Sequence, residues 1–331
     1  MKRRFRTILT LVLAISLMTG LAVPMGALAD DSWPSKSITL IIPYSAGGTA
    51  DTFGRLVAEY LGKEIGATIT CVNQAGSSGE IGALAIAGSD PDGYTLGILN
   101  FPDFFISDLT NDDFEFDTLS SVQYITSFTN QSNAYYVRKG NGKVESWDEF
   151  INYCKENPGR FTVSESGIAH RFIAASIMDY FGIEYTTINY DGAAESQAAI
   201  VGGQVDGASL SNSRLETLWE QGVIPIAYGG SEPCPLDPDV PLFGDYGLSI
   251  DFLNVRVTLV APAGVPQEII DKLAEGCRKI CEDQNFVDTF TSLHNPLDPV
   301  FYGDVGDLAA KYYEEAQALC EQYKDQIIGI K

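Results

Sequence analysis

Two hydrophobic patterns alternate along residues 37–99. Ser37–Pro43 is a continuous apolar run rich in β-branched residues, the pattern of a buried parallel strand. Ser45-Ala46-Gly47-Gly48-Thr49 interrupts it. From Asp51 to Ile65, Phe53, Leu56, Val57, Tyr60, Leu61 and Ile65 fall at helical spacing. Ala67–Val72 reads as the next strand, Asn73–Gly79 as a Gly/Ser-rich turn, Glu80–Ala87 as a helix and Tyr94–Leu99 as a third strand. Strand–helix–strand–helix–strand predicts an open α/β sheet.

The pattern restarts downstream. Ala134–Val137 is strand-like, and Ser146-Trp147-Asp148-Glu149 opens a helix with the Ser-x-x-Glu shape of a capping box. Strands at Phe161–Ser164 and Tyr185–Asn189 alternate with helices at Ala169–Phe181 and Ala193–Val201. Val205–Ser209, Pro225–Tyr228 and Val255–Val260 read as further strands, and Gln267–Asp283 and Gly306–Tyr323 as amphipathic helices. Two α/β units with a cleft between them are the expected architecture. Ligands in such sheets sit beyond the carboxyl ends of strands, at helix N-termini.

The first 29 residues differ in kind. Lys2, Arg3, Arg4 and Arg6 precede an apolar run, Ile8–Leu17, and the segment ends in Ala27-Leu28-Ala29. These are the parts of a secretory signal, with an uncleaved N-terminal anchor as the alternative, and the apolar run is too short for a comfortable membrane span. Export to the periplasm or the extracytoplasmic surface is expected. The full chain carries 21 basic and 44 acidic residues, a net charge of −23. Without residues 1–29, 17 basic residues face the 44 acidic ones, a net −27. Such a chain does not suit nucleic acid, whose counterions a basic surface must displace. Export permits disulfides, but the six cysteines form no paired C-x-x-C units and there are only two histidines. No metal site and no cofactor are expected. Cys277 and Cys281, four apart, would share a helix face; bridges and buried free thiols both remain open.

Two loops suit an anion. In Pro43-Tyr44-Ser45-Ala46-Gly47-Gly48-Thr49-Ala50-Asp51, glycines allow close backbone approach and the following helix directs free N–H groups at the loop. A tight strand-to-helix turn explains the same residues. G-x-G-x-x-G and G-K-[ST] are both missing, which argues against nucleotides. The second loop is Ser164-Glu165-Ser166-Gly167-Ile168-Ala169-His170. His170 with Ser164 or Ser166 raises a hydrolase reading, but G-x-S-x-G is not present. Arg171 and Arg214 are candidate carboxylate partners or plain surface cations. Asp191, in Tyr190-Asp191-Gly192-Ala193-Ala194, suits a helix cap or a contact with a ligand amine.

Further segments extend the pattern. They are Asn73-Gln74-Ala75-Gly76-Ser77-Ser78-Gly79, Pro91-Asp92-Gly93-Tyr94-Thr95-Leu96, Asn157-Pro158-Gly159, Gly202-Gly203-Gln204-Val205-Asp206, Pro238-Asp239-Val240-Pro241 and Leu259–Pro266. In order and spacing the chain resembles the extracytoplasmic solute receptors of the tripartite tricarboxylate transporter system, the Bug proteins. The resemblance implies a two-domain α/β venus-flytrap fold, with residues 36–130 and 255–331 as one discontinuous domain and 131–254 as the other. It implies capture of a small organic acid and delivery to membrane permease subunits, without catalysis, and a monomer is expected. The loop from Tyr44 to Thr49 (Tyr44, Ser45, Ala46, Gly47, Gly48, Thr49) would hold one carboxylate, with Asp51 bracing it. Ser164, Ser166, Gly167, His170, Tyr190, Asp191 and Gly192 would hold the distal group.

The departures from the family pattern lie in that second half. Ser166-Gly167-Ile168-Ala169-His170 stands where G-S-x-x-H is usual, and Tyr190-Asp191-Gly192-Ala193 where Tyr-Lys-Gly-Gly is frequent. The exchange of a base for Asp191 favours an amino acid or a less charged acid over a tricarboxylate. A sensory receptor passing occupancy to a membrane kinase, or a secreted hydrolase, are the alternatives.

Overall fold

From Ile38 the chain runs β1 (Ile38–Ile42), α1 (Thr49–Ile65), β2 (Ile69–Asn73), α2 (Glu80–Ala87), β3 (Thr95–Phe101), α3 (Asp103–Thr110) and β4 (Val122–Thr129). It continues with β5 (Asn133–Arg138), α4 (Trp147–Glu156), β6 (Thr162–Ser166), α5 (Ile168–Phe181), β7 (Thr186–Tyr190), α6 (Ala193–Val201), β8 (Gly207–Ser211), α7 (Leu215–Glu220) and β9 (Val223–Tyr228). It closes with β10 (Arg256–Pro262), α8 (Gln267–Glu282), α9 (Gln284–Ser292), β11 (Leu297–Phe301) and α10 (Asp304–Ile328). This computed structural model describes residues 33–190, 192–229, 233, 234, 236–248, 250, 253–293 and 297–328. The expected signal over residues 1–29 lies outside the described residues, as do Asp191 and His294.

The strands form two sheets. The first has the order β11-β4-β10-β3-β1-β2, and the second β7-β6-β8-β5-β9. β1 pairs in parallel with β2 and β3, and β6 in parallel with β7 and β8. Antiparallel β10 lies between β3 and β4, and antiparallel β5 between β8 and β9. Each sheet therefore carries a parallel half followed by helices, which places helix N-termini along one edge. The chain passes from the first sheet to the second between β4 and β5 and returns before β10. The two crossings are stitched together: Gln131 N–H donates to Val255 O at 2.8 Å, and Val255 N–H to Gln131 O at 2.9 Å. Ser211 Oγ adds a bond to Gln131 Oε1, and Asn133 Nδ2 one to Leu253 O.

Several expected elements shift by a residue or two, and five were not legible in the pattern. β4 (VQYITSFT) places Thr126, Ser127 and Thr129 at 0% exposure, so its polar letters hide a central strand. α3 (DFFISDLT) reads as β-prone, yet Phe104, Phe105 and Ile106 are all buried against neighbours, and tertiary burial decides. α7, α9 and β11 are short and weakly patterned. The capping box of α4 forms by half. Ser146 Oγ accepts from Glu149 N–H, while Glu149 turns to Glu145 N–H instead of Ser146 N–H.

The two sheets share one core. Under the second sheet, Trp147 is surrounded by Tyr135, Phe150, Phe181 and Phe243 at ring-centroid distances of 4.9–5.7 Å. α10 bridges to the first: Tyr313 meets Phe105 of α3 edge-on, and Tyr323 Oη donates to Asp179 of α5 at 2.8 Å. All six cysteines are free thiols, and burial raises the pKa of Cys277, Cys281 and Cys154.

Candidate functional site

The loop between β1 and α1 is built around one carboxylate. Asp51 Oδ2 accepts from Gly47 N–H at 2.8 Å, and Asp51 Oδ1 meets Asn73 Nδ2 and the Arg55 guanidinium, each at 2.9 Å. Asn73 Nδ2 also holds Tyr44 O at 2.9 Å. Burial acts to raise the Asp51 pKa, but Arg55, Gly47 and Asn73 outweigh it and hold the carboxyl below its usual range. Asp51 is thus a brace whose charge Arg55 matches. Ser45, Ala46 and Gly47 are exposed at the loop tip, and Gly47 has φ +81°, which a Cβ would strain. Gly48 caps α1, which Thr49 opens, and offers no side-chain acceptor.

Neighbouring loops close on this one. A Cβ on Gly82 would lie 2.7 Å from Pro43 Cα, so only glycine lets α2 abut the loop so closely. Gly79, the cap of α2, would meet Phe104 and Pro43 O. Tyr44 packs edge-on against Phe104, and its hydroxyl is buried. α2 and α3 begin at Gly79 and Pro102, again with no side-chain acceptor.

On the second sheet, Gly167 (φ +85°) opens α5 and Gly192 opens α6, also without side-chain caps. Elsewhere Ser146 caps α4 and Asp283 caps α9 with their side chains, while α7 and α8 start at Arg214 and Pro266 without a side-chain cap. The two halves meet at Asp103, the first residue of α3, whose Oδ1 lies 3.7 Å from where a Cβ on Gly167 would be. Burial pushes the Asp103 pKa up to about 6, opposed by the backbone N–H of Ala169.

The remaining expected residues have mostly internal partners. Ser164 and Ser196 bond hydroxyl to hydroxyl at 2.8 Å. Tyr190 packs against the apolar cluster of the second sheet. His170 Nδ1 pairs with Ser209 Oγ at 2.9 Å, not with Ser164 or Ser166, so the serine–histidine pairing behind the hydrolase reading does not form. Burial pushes the His170 pKa down to about 4, leaving the ring neutral at pH 7. Arg214 donates to Gln197 on α6.

Three neighbours of these loops are not among the expected residues, Asp103, Asn73 and Asn100, while Glu165 lies inside the expected second loop. Asn100 Oδ1 and Glu165 Oε2 are buried without partners. Burial raises the Glu165 pKa to about 7, against the opposing charge of Arg171. The sequence signal was present only for Asn73, at the head of a Gly/Ser-rich turn. A wide depression between α1, α8 and α9 lies elsewhere, and its cations are already paired, Lys63 with Glu59 and Lys279 with Glu64.

Two sheets joined by paired crossings, each with helices starting at the ends of its parallel strands, define a two-domain periplasmic binding protein with a ligand cleft between its domains. The match to the family described as "Tripartite tricarboxylate transporter family receptor" runs over residues 53–318, and the chain belongs to that family of receptors, which are not enzymes. Protein BugT of Bordetella pertussis is 25% identical over 298 residues, 86% of this chain and 88% of its own length. A UPF0065 protein of Agrobacterium vitis is 28% identical over 288 residues, 84% and 80% respectively. Among solved structures, Rpa4515 of R. palustris with adipate matches with a TM-score of 0.78 at 22% identity, covering 87% of this chain and 97% of that one. MatC (Rpa3494) from Rhodopseudomonas palustris with bound malate gives 0.75 at 20% identity, covering 87% and 99%. At these identities the structures establish the shared fold. Receptors of this family are periplasmic, and no helix among the described residues is long and apolar enough to cross a membrane.

Proposed function

We propose that this receptor captures a small organic carboxylate and delivers it to the membrane permease of a tripartite tricarboxylate-type transporter. The observation that carries the reading is the edge of helix starts α1, α2, α3 and α6, whose glycine and proline cap residues bring no side-chain acceptor. Free N–H groups and the partial positive charge of a helix start favour an anion. Relatives of the same fold hold malate and adipate, which fits a carboxylate here. The proximal carboxylate is taken by residues 44–49, with Asp51 as their brace. The distal group lies toward Ser164, Ser166 and Gly167, and toward Tyr190, Asp191 and Gly192, with the buried His170, paired to Ser209, supporting them from behind. Residues 36–130 with 255–331, and residues 131–254, act as the two lobes, and the stitched crossings at Gln131 and Val255 are the hinge.

The test is a thermal-shift screen of residues 30–331, refolded from denaturant to release any carried ligand. The panel is di- and tricarboxylates, monocarboxylates, amino acids and their neutral amides. A ligand at 100 times its Kd adds about 2.7 kcal/mol to the folded state. Stabilisation by acids and not by fully amidated analogues is expected. Equal response to both, or none to any acid, would sink the proposal.

A further inference from the structure

The two ends of the cleft differ in charge. At the first lobe the internal carboxylate, Asp51, is matched by Arg55 and pulled to one side by Gly47 and Asn73. The start of α1 keeps backbone N–H groups without a side-chain cap, beside a charge-neutral pair. At the second lobe the positions facing the helix starts hold carboxylates with no such match. Asp103 reaches across from α3 to the start of α5, with Oδ1 3.7 Å from the Cβ position of Gly167 and the Ala169 N–H facing it. Glu195 Oε2 lies 2.7 Å from the Cβ position of Gly192, over the start of α6. Among the described residues neither acid has a salt-bridge partner. The Tyr44 hydroxyl is buried beside the Asn100 backbone and the Asp103 carboxyl.

We propose that Asp103 sets the charge of the solute. Its carboxylate stands where α5 would take a ligand's second anionic group, so the closed cleft takes a monocarboxylate with a neutral or cationic distal end in preference to a dicarboxylate. The chemistry is substitution and exclusion. The chain's own anion answers the α5 N–H groups, and a second ligand carboxylate would meet like charge at short range in a partly desolvated site. An amide, hydroxyl or ammonium at that end would instead find acceptors in Asp103 and the Tyr44 oxygen. This rests on the carboxylate-receptor reading above.

The experiment is calorimetric titration of refolded wild type, Asp103→Asn and Asp103→Ser with matched pairs. These are succinate against succinamate, adipate against its monoamide, and 4-aminobutyrate as a distal ammonium. Wild type should favour at least one monoanionic member over its dicarboxylate by tenfold or more, a difference of about 1.4 kcal/mol. Asp103→Asn, which keeps shape and removes charge, should shrink or reverse that ratio, and Asp103→Ser should do the same if asparagine disturbs the fold. A wild type that prefers the dicarboxylate, as an Arg214 contact to the distal group would produce, overturns the inference. So does a ratio that both variants leave unchanged. In either case the carboxylate reading stands, because acids still bind. Binding of no acid and no monoamide by wild type would overturn both.

Discussion

Asn73 joins the end of β2 to the first turn of α1 through Asp51. One amide nitrogen donates to Asp51 Oδ1 and to Tyr44 O, each at 2.9 Å, while Arg55 closes the group by reaching Asn73 Oδ1 at 2.8 Å. The loop between β1 and α1 is therefore shaped by a strand end and a helix turn, and its exposed tip needs no side chain of its own. Asn73→Ala removes all three bonds and leaves a buried carboxylate short of a partner. The expected cost is about 1–3 kcal/mol of stability, with at least a tenfold loss of carboxylate affinity. Melting curves and calorimetry on the same sample check both. Full affinity in a destabilised variant would show that the brace does not shape the site.

Gly47 and Gly66 form a matched pair. Both sit at positive φ, +81° and +71°, and a Cβ on either would touch nothing within 4 Å. Alanine at each should cost about 1–2 kcal/mol through backbone strain alone. Gly66, at the far end of α1, should leave ligand affinity unchanged. Gly47 donates to Asp51 and sets the loop tip, so Gly47→Ala should weaken binding at least fivefold. Equal binding by the two variants would argue against the 44–49 loop as the proximal site.

Ser209 serves two buried groups. His170 Nδ1 shares its hydroxyl at 2.9 Å, and the Tyr135 hydroxyl leans on it too. Ser209→Ala should cost about 1–3 kcal/mol while carboxylate affinity holds within twofold, because this group lies under α5 and supports it. A large loss of affinity with little change in the melting curve would instead place His170 in the cleft.

The parallel halves of both sheets were legible because their strands are apolar runs closed by glycine-rich loops. Glu80–Ala87 and Ala193–Val201 appear at the expected bounds. β4 was hidden by Thr126, Ser127 and Thr129, polar residues that the central position of the strand buries. The brace at Asp51 was implied by the family resemblance of its loop. Asp103 could not be anticipated, because its partners at Gly167 and Ala169 come from the other sheet, and only the crossing of the chain brings them together. The partner of His170 was hidden for the same reason. A serine near in sequence competed with Ser209, which lies 39 residues away and across a strand.

Three buried groups make stability depend on pH in opposing directions. His170, pushed down to about 4 from an ordinary 6.5, contributes stability above pH 6.5 that is lost as pH falls toward 4. Glu165, raised to about 7, and Asp103, raised to about 6, behave in reverse. The folded chain keeps protons that the unfolded chain has released, so their contribution is present at low pH and lost as pH rises through the folded values. Two acids outweigh one imidazole between pH 5 and 7. Together these groups should remove about 1–2 kcal/mol of stability across that window as pH rises. Glu165→Gln takes away the larger of the two acidic contributions, and the remaining pair nearly cancel, so its stability should be almost flat from pH 5 to 7. Chemical denaturation of both proteins at half-unit steps of pH reads the slopes directly. A wild type that grows steadily more stable up to pH 7 would mean that Glu165 is ionised in the folded state, held by Arg171, and that the variant loses an ion pair instead of a buried acid.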